Sequence, residues 1–342
     1  MKRLGIMLQI ACTYIGTIVG AGFATGQEIL QFFTRYGKYG SITILLSTWL
    51  FIWLGTKLML TAQTMKAHSY ADLNRMLFGP SVGRIVSLLL MLVLFGISSV
   101  MLAGAGSVFE EHFGWPYQAG LGLTLLLGFL ILSRGMQAIF AVNSIVVPCM
   151  LLYLIIIVVQ VSHSPTAGNW LTLDSDASPF RIWMSPFLYA AFNLALAQAV
   201  LVPIGGKMED AAVIRGGGII GGIGVGLMLL ALHMSLSSKM PDIASYEIPM
   251  GQMATQVVHT VQLLFILIIF SEIFTTFIAD LFGLMTQLET KVPWGRQTLL
   301  VILLAGCYAI SQVGFSSLVA FLYPLFGMLS SFWLTALILK RT

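Results

Sequence analysis

Charge is scarce in this 342-residue sequence: Asp, Glu, Lys and Arg make up 9% of it, against roughly a quarter in soluble domains. A chain this poor in charge cannot cover a water-facing surface, which excludes a soluble globular protein. Cysteine is scarcer still. Cys12, Cys149 and Cys307 each sit inside an apolar run, which excludes a disulfide framework and a thiolate zinc site and leaves them as small packing residues. The five histidines are scattered, and the sequence holds no His-Glu-x-x-His; its Gly-x-Ser-x-Gly match, Gly79-Pro80-Ser81-Val82-Gly83, follows a polar segment and no strand-like run. Metal-dependent chemistry therefore lacks its residues and the serine motif its strand-to-helix setting, and the chain reads as a non-enzyme without a cofactor. Its formal charge of +4 does not point to nucleic acid, because the basic residues flank apolar runs, where they orient a membrane chain.

Apolar length is what the sequence has in abundance, at 58% hydrophobic residues. A membrane-crossing helix needs about 20 of them in a row. Ten candidates stand at 4–34, 39–65, 84–109, 116–133, 136–161, 181–205, 212–238, 256–285, 297–313 and 315–339. The expected fold class is an all-α membrane protein with the lipid bilayer as its surroundings. The N-terminal run is expected to be a retained first helix and not a signal peptide. With the N-terminus in the cytoplasm, twelve of the 17 Lys and Arg residues fall on inside loops and tails. Four (Arg35, Lys38, Arg181 and Lys239) fall outside, and Lys57 lies within a span. The positive-inside rule then predicts a multi-pass protein of a bacterial-type plasma membrane with both termini cytoplasmic.

A polar connection at 162–180 separates a first half, 1–161, from a second, 181–342, within one integral membrane domain. Both Val142–Pro148 in the fifth span and Leu318–Pro324 in the tenth end an apolar run on proline. Five spans per half would make the halves an inverted repeat. Segment 66–80 is expected to form an interfacial helix, and 240–255 a partly helical outer loop.

Gly16, Gly20, Gly22 and Gly26 crowd the middle of the first span. Each costs a helix about 1 kcal/mol relative to alanine, and opened backbone at membrane depth must be buried in protein or line a cavity. Two readings stand: a broken span beside a solute site, or a small-residue stripe for close helix packing. The glycines of the seventh span, Gly216 to Gly226, read as packing, since neither a strand nor a phosphate-binding lysine accompanies them. Glu272 in the eighth span and Glu28 in the first are costly in a membrane. They mark a functional pathway unless each only partners a nearby donor. Lys57 and Asp280 either pair or leave Lys57 snorkelling to the interface, and snorkelling is expected.

Gly16-Thr17-Ile18-Val19-Gly20-Ala21-Gly22-Phe23 resembles the first-helix signature of the amino acid–polyamine–organocation superfamily, whose members share the LeuT-type fold. The chain is most similar to its bacterial YkvI-type permeases. The resemblance implies ten helices in a 5+5 inverted repeat, with helices 1 and 6 discontinuous around the substrate. Spans 1, 2, 6 and 7 would rock against spans 3, 4, 8 and 9. It implies a secondary active transporter for a small amino acid or related zwitterion, working by alternating access and coupled to sodium or protons. A passive channel or facilitator is the alternative.

Substrate contacts would come from Thr17, Gly20, Ala21 and Gly22, where freed amides at a helix start attract a carboxylate, and from Phe192, Asn193 and Ala195. Carbonyls of Gly16 and Val19 with hydroxyls of Thr275 and Thr276 would hold sodium, a hard cation that takes oxygen ligands, and Glu272 would bind cation or proton. Asn193 bonded between packed helices and threonines bonded back into their own helix are the structural alternatives. The fifth span has no lysine to occupy the cation site, which favours sodium over protons. Glu28 would face the outer vestibule, and Lys2 or Arg3 paired with Glu289 would form an inner gate. Glu28 and Glu272 are open to ion, proton or solute.

Overall fold

The computed structural model describes residues 2–67, 69–134, 137–255, 259–289 and 292–340. Side chains of Lys2 and of residues 134, 137–148 and 259–261 lie outside this description, and with them the Val142–Pro148 run. The first span is three helices: α1 (Lys2–Ile18), α2 (Ala21–Thr25) and α3 (Gln27–Phe32). Gly20 is extended (φ −119°, ψ −164°) between α1 and α2. Gly26 takes the left-handed region (φ 80°) between α2 and α3. A Cβ on Gly26 would also come within 2.7 Å of Met250 Cγ, so backbone and neighbour both require glycine there.

The second span runs as α4 (Lys38–Leu50), a π turn (Phe51–Gly55) and α5 (Thr56–Met65). Tyr14 of α1 donates to the Phe51 carbonyl at 2.8 Å and ties the two spans together at that turn. Next comes α6 (Tyr70–Phe113), which bends at Gly79 (φ 76°) just before Pro80. Within segment 66–80, the residues from Tyr70 onward form its short first arm, capped by Ser69, whose side chain accepts from the Asp72 amide. The remaining helices are α7 (Tyr117–Arg134), α8 (Gln137–Ser162), α9 (Asn169–Thr172), α10 (Pro179–Lys207), α11 (Ala211–Ser237), α12 (Pro249–Ala254), α13 (His259–Glu289), α14 (Arg296–Ser311) and α15 (Phe315–Leu339). Among the described residues six helical stretches are long and apolar enough to cross a membrane, and shorter apolar helices occupy 3–18, 117–133, 149–162 and 296–311.

The loop at 240–255 is partly helical, with a 3-10 turn at Asp242–Ser245 followed by α12. Two carboxylates fasten it. Glu111 at the end of α6 accepts from the amides of Glu247 and Ile248 at 2.7 and 3.0 Å. Glu247 in turn accepts from the Ser316 hydroxyl at the start of α15 at 2.8 Å.

The sixth span departs from expectation. Instead of unwinding, α10 is one helix of 29 residues. Ala190, Ala191, Ala195 and Ala197 make its middle a strong helix former. Its amide side chains bond into their own helix, Asn193 Nδ2 to the Tyr189 carbonyl at 3.0 Å and Gln198 Nε2 to that of Ala195 at 2.7 Å. Pro186 and Pro203 lie towards its two ends and leave this middle intact.

The glycines of α11 do pack helices closely. A Cβ on Gly217 or Gly221 would stand 2.6 or 2.7 Å from Ile10 or Tyr14 of α1. On Gly218, Gly222 or Gly226 it would stand 2.2, 2.6 or 2.2 Å from Thr56, Ile52 or Thr48 of the second span. Two glycine stripes on one helix thus seat two neighbours.

Candidate functional site

A cavity of about 570 Å³ lies against the broken first span. Its first wall is the unbroken run Gly16 to Gly22, with Glu28 beyond it. A Cβ added to Gly16 or to Gly20 would meet no atom within 4 Å. These two glycines therefore do not serve close packing; they border open space. Gly22 differs, because a Cβ there would lie 1.8 Å from Glu28 Oε1, so the Glu28 carboxylate rests on the backbone of the broken turn. The hydroxyls of Tyr189 and Tyr323 lie beside that carboxylate.

The second wall is α10, through Phe192, Asn193, Leu196, Ala199 and Val200, a spacing that keeps one helical face inward. Ala195 is a correction to the expected substrate contacts: it points to another face of α10, against Val86, Leu89 and Trp333. Two residues from Asn193, it is rotated by about 200° around the helix.

The third wall is α13, where Glu272, Thr275, Thr276, Ala279, Asp280 and Gly283 recur at helical spacing. Glu272 is only 4% exposed, and its Oε1 has no hydrogen-bond partner. The Thr275 hydroxyl donates to the Glu272 carbonyl at 3.2 Å, and that of Thr17 to the Thr13 carbonyl at 2.7 Å. Back-bonding is thus realised in both. Among the described lining residues three are carboxylates, Glu28, Glu272 and Asp280, and none is Lys, Arg or His. The three do not converge: no group of three or more acidic, His or Cys side chains is placed to share one metal ion among the described residues.

At one end the cavity stops against Phe192 and Tyr323, whose rings stand 4.7 Å apart. Behind them the buried ring of Tyr189 packs on Phe32, Phe33 and Phe51 at 5.3, 5.0 and 5.9 Å. On the far side lies a separate cavity of about 610 Å³ bordered by Phe32, Arg35, Asp176 and Arg181. At its other end the site reaches Tyr70 and Gln287. Both also border a cavity of about 520 Å³ with Arg75 and Arg84 in its wall. The site is closed by one aromatic layer on the Arg35–Arg181 side and leads towards the Arg75–Arg84 side.

The expected inner gate is a second correction. Arg3 pairs with Asp210 at 3.2 Å, and Glu289 with Arg296 at 3.3 Å. Each charge has a partner on a neighbouring segment; the Lys2 side chain lies outside the described residues. Lys57 neither pairs with Asp280 nor snorkels freely, and donates to the Ile338 carbonyl at 2.8 Å. Asp280 is the residue that sequence reasoning left out of the site. Its signal was present, since it lies four residues after Thr276 and so on the same helical face.

No family model matches the chain. It is 40% identical over 343 residues to the Bacillus subtilis (strain 168) protein described as "uncharacterized membrane protein YkvI", covering 98% of this chain and 96% of that one. It is 27% identical over 328 residues to "uncharacterized protein YyaD" of the same organism, covering 95% and 94%. Among solved structures it is similar to MhsT in complex with L-phenylalanine, with a TM-score of 0.65, 17% identity, and 94% of this chain and 87% of that one covered. It is likewise similar to Mhp1 in its inward-facing conformation, with a TM-score of 0.63, 11% identity, and 95% and 73% covered. The backbone therefore has the LeuT-type fold, and by its sequence this chain belongs to the YkvI family of membrane proteins.

Proposed function

We propose that the chain is a secondary active transporter that carries a small amino acid or related zwitterion with a coupling cation by alternating access. The observation that carries this reading is the backbone opened at Val19 and Gly20, within a stretch Gly16 to Gly22 that lines a 570 Å³ cavity, where a Cβ added to Gly16 or Gly20 would meet nothing within 4 Å. A membrane helix opens at that depth only where protein or a cavity takes over its polar groups. The amides of Gly20, Ala21 and Gly22 would meet the solute carboxylate. Phe192 and Asn193 would complete the pocket.

Sodium is the favoured coupling ion. The carbonyls of Gly16 and Val19 and the hydroxyl of Thr276 supply hard oxygens, and Glu272 supplies charge. Proton coupling is the second reading, favoured by the unpartnered Glu272 Oε1 and by the engagement of the Thr275 hydroxyl within its own helix. In the ten-span, inverted-repeat topology with cytoplasmic termini, the Arg75–Arg84 side is cytoplasmic and the described state faces inward. A thermal-shift screen of the amino acids, each with sodium and with potassium, tests the proposal. The expected result is a few stabilising amino acids whose effect grows in sodium; no stabilisation by any of them contradicts it.

A further inference from the structure

Asp280 has no place in the ion site just described, yet it faces the same cavity. It stands one helical turn towards the Arg75–Arg84 side from Thr276, and about 12 Å along α13 from Glu272 at 1.5 Å per residue. Lys57, the amine that pairing would have brought to it, donates to the Ile338 carbonyl. Among the described residues Asp280 takes part in no ion pair, and no Lys, Arg or His shares its cavity. A carboxylate in a membrane span carries a desolvation cost that is tolerated when it serves an ion or solute path. A second group points the same way: Glu272, further along that wall, is 4% exposed with an unpartnered oxygen. Among the described residues neither carboxylate has a positive partner.

Resting on the sodium-coupled reading above, we infer that Asp280 is a second cation position. It holds a monovalent hard cation between the Arg75–Arg84 side and the ion site at the broken span. Arg75 and Arg84 border the approach from that side and repel a small cation. A negative charge just inside them offsets that barrier and raises the local cation concentration. Thr276 and Gly283 lie one turn to either side of Asp280 on the same wall, so its carboxylate meets a cation moving along α13 before the Thr276 hydroxyl does.

The test uses Ala199→Cys on the α10 wall as a reporter, in a chain whose three native cysteines are replaced by alanine. A membrane-impermeant maleimide labels it while sodium is exchanged for choline at constant ionic strength. Sodium is expected to slow labelling. Asp280→Asn should raise the half-effective sodium concentration about threefold or more, the size of one screened unit charge a turn away, and Asp280→Glu should restore it. If Asp280→Asn fails to fold, the comparison is made with Asp280→Glu in 50 mM and in 300 mM ionic strength (about 14 and 6 Å of screening length). Higher ionic strength should then raise the half-effective sodium concentration. A half-effective concentration unmoved by loss of the charge, or by screening in the fallback, overturns the second position while leaving the transporter reading intact. A parent reporter indifferent to sodium removes the sodium-coupled reading itself.

Discussion

Glycine does two opposite things in this chain, and single substitutions separate them. Gly16 and Gly20 border open space, so Gly20→Ala should fold with wild-type thermal stability while weakening solute-induced stabilisation, because the new methyl enters the cavity. Gly26 sits at φ 80° against Met250. There alanine should cost about 1–2 kcal/mol from backbone strain alone and lower the melting temperature. Glu272→Gln removes the unpartnered charge and should abolish concentrative uptake or change its pH dependence; transport like wild type across pH would remove Glu272 from the mechanism.

Much of this was legible residue by residue, because a carboxylate or a glycine cluster inside an apolar run is anomalous without any fold in hand. What stayed hidden was helical phase. Nothing in the local sequence says that Ala195 turns away while Leu196 turns in, or that Lys57 finds the Ile338 carbonyl and leaves Asp280 to the cavity. Those outcomes depend on contacts between segments far apart in the chain.

At the scale of elements, the two spans expected to break behave differently. The first combines four glycines with a left-handed residue and comes apart. The sixth is rich in alanine, and its amide side chains bond into its own carbonyls, so it holds. A motif likeness pointed to the stretch of α10 that borders the cavity, but only local propensity foretells that it stays wound. The glycine stripes of α11 make its packing brittle. Gly222→Ala, whose Cβ would meet Ile52 at 2.6 Å, should destabilise by about 1–3 kcal/mol, as overpacking does, in contrast to Gly20→Ala. At the 240–255 loop, Glu111→Ala removes the acceptor of the Glu247 and Ile248 amides. Faster hydrogen exchange confined to 242–254 is expected, while an unchanged rate would show that Glu247 and Ser316 alone hold the loop.

Across the whole molecule, membrane class and the run of apolar helices follow from composition and length. The cavity does not, because it opens between α1, α10 and α13, segments far apart in the chain. Two spaces, of about 570 and 610 Å³, lie on either side of one aromatic layer formed by Tyr189, Phe192 and Tyr323. A rocking of the first-span bundle that parts this layer and closes the Tyr70–Gln287 end would move a bound solute from one space to the other. Such coupled motion is what distinguishes a carrier from a pore. The deciding measurement is uptake by the purified chain in proteoliposomes under an inward sodium gradient, using the amino acid that stabilises it most. Accumulation above the external concentration, collapsing when the sodium gradient is dissipated, is the expected result. Equilibration without accumulation, with or without the gradient, would contradict the account and make the cavity part of a passive pathway.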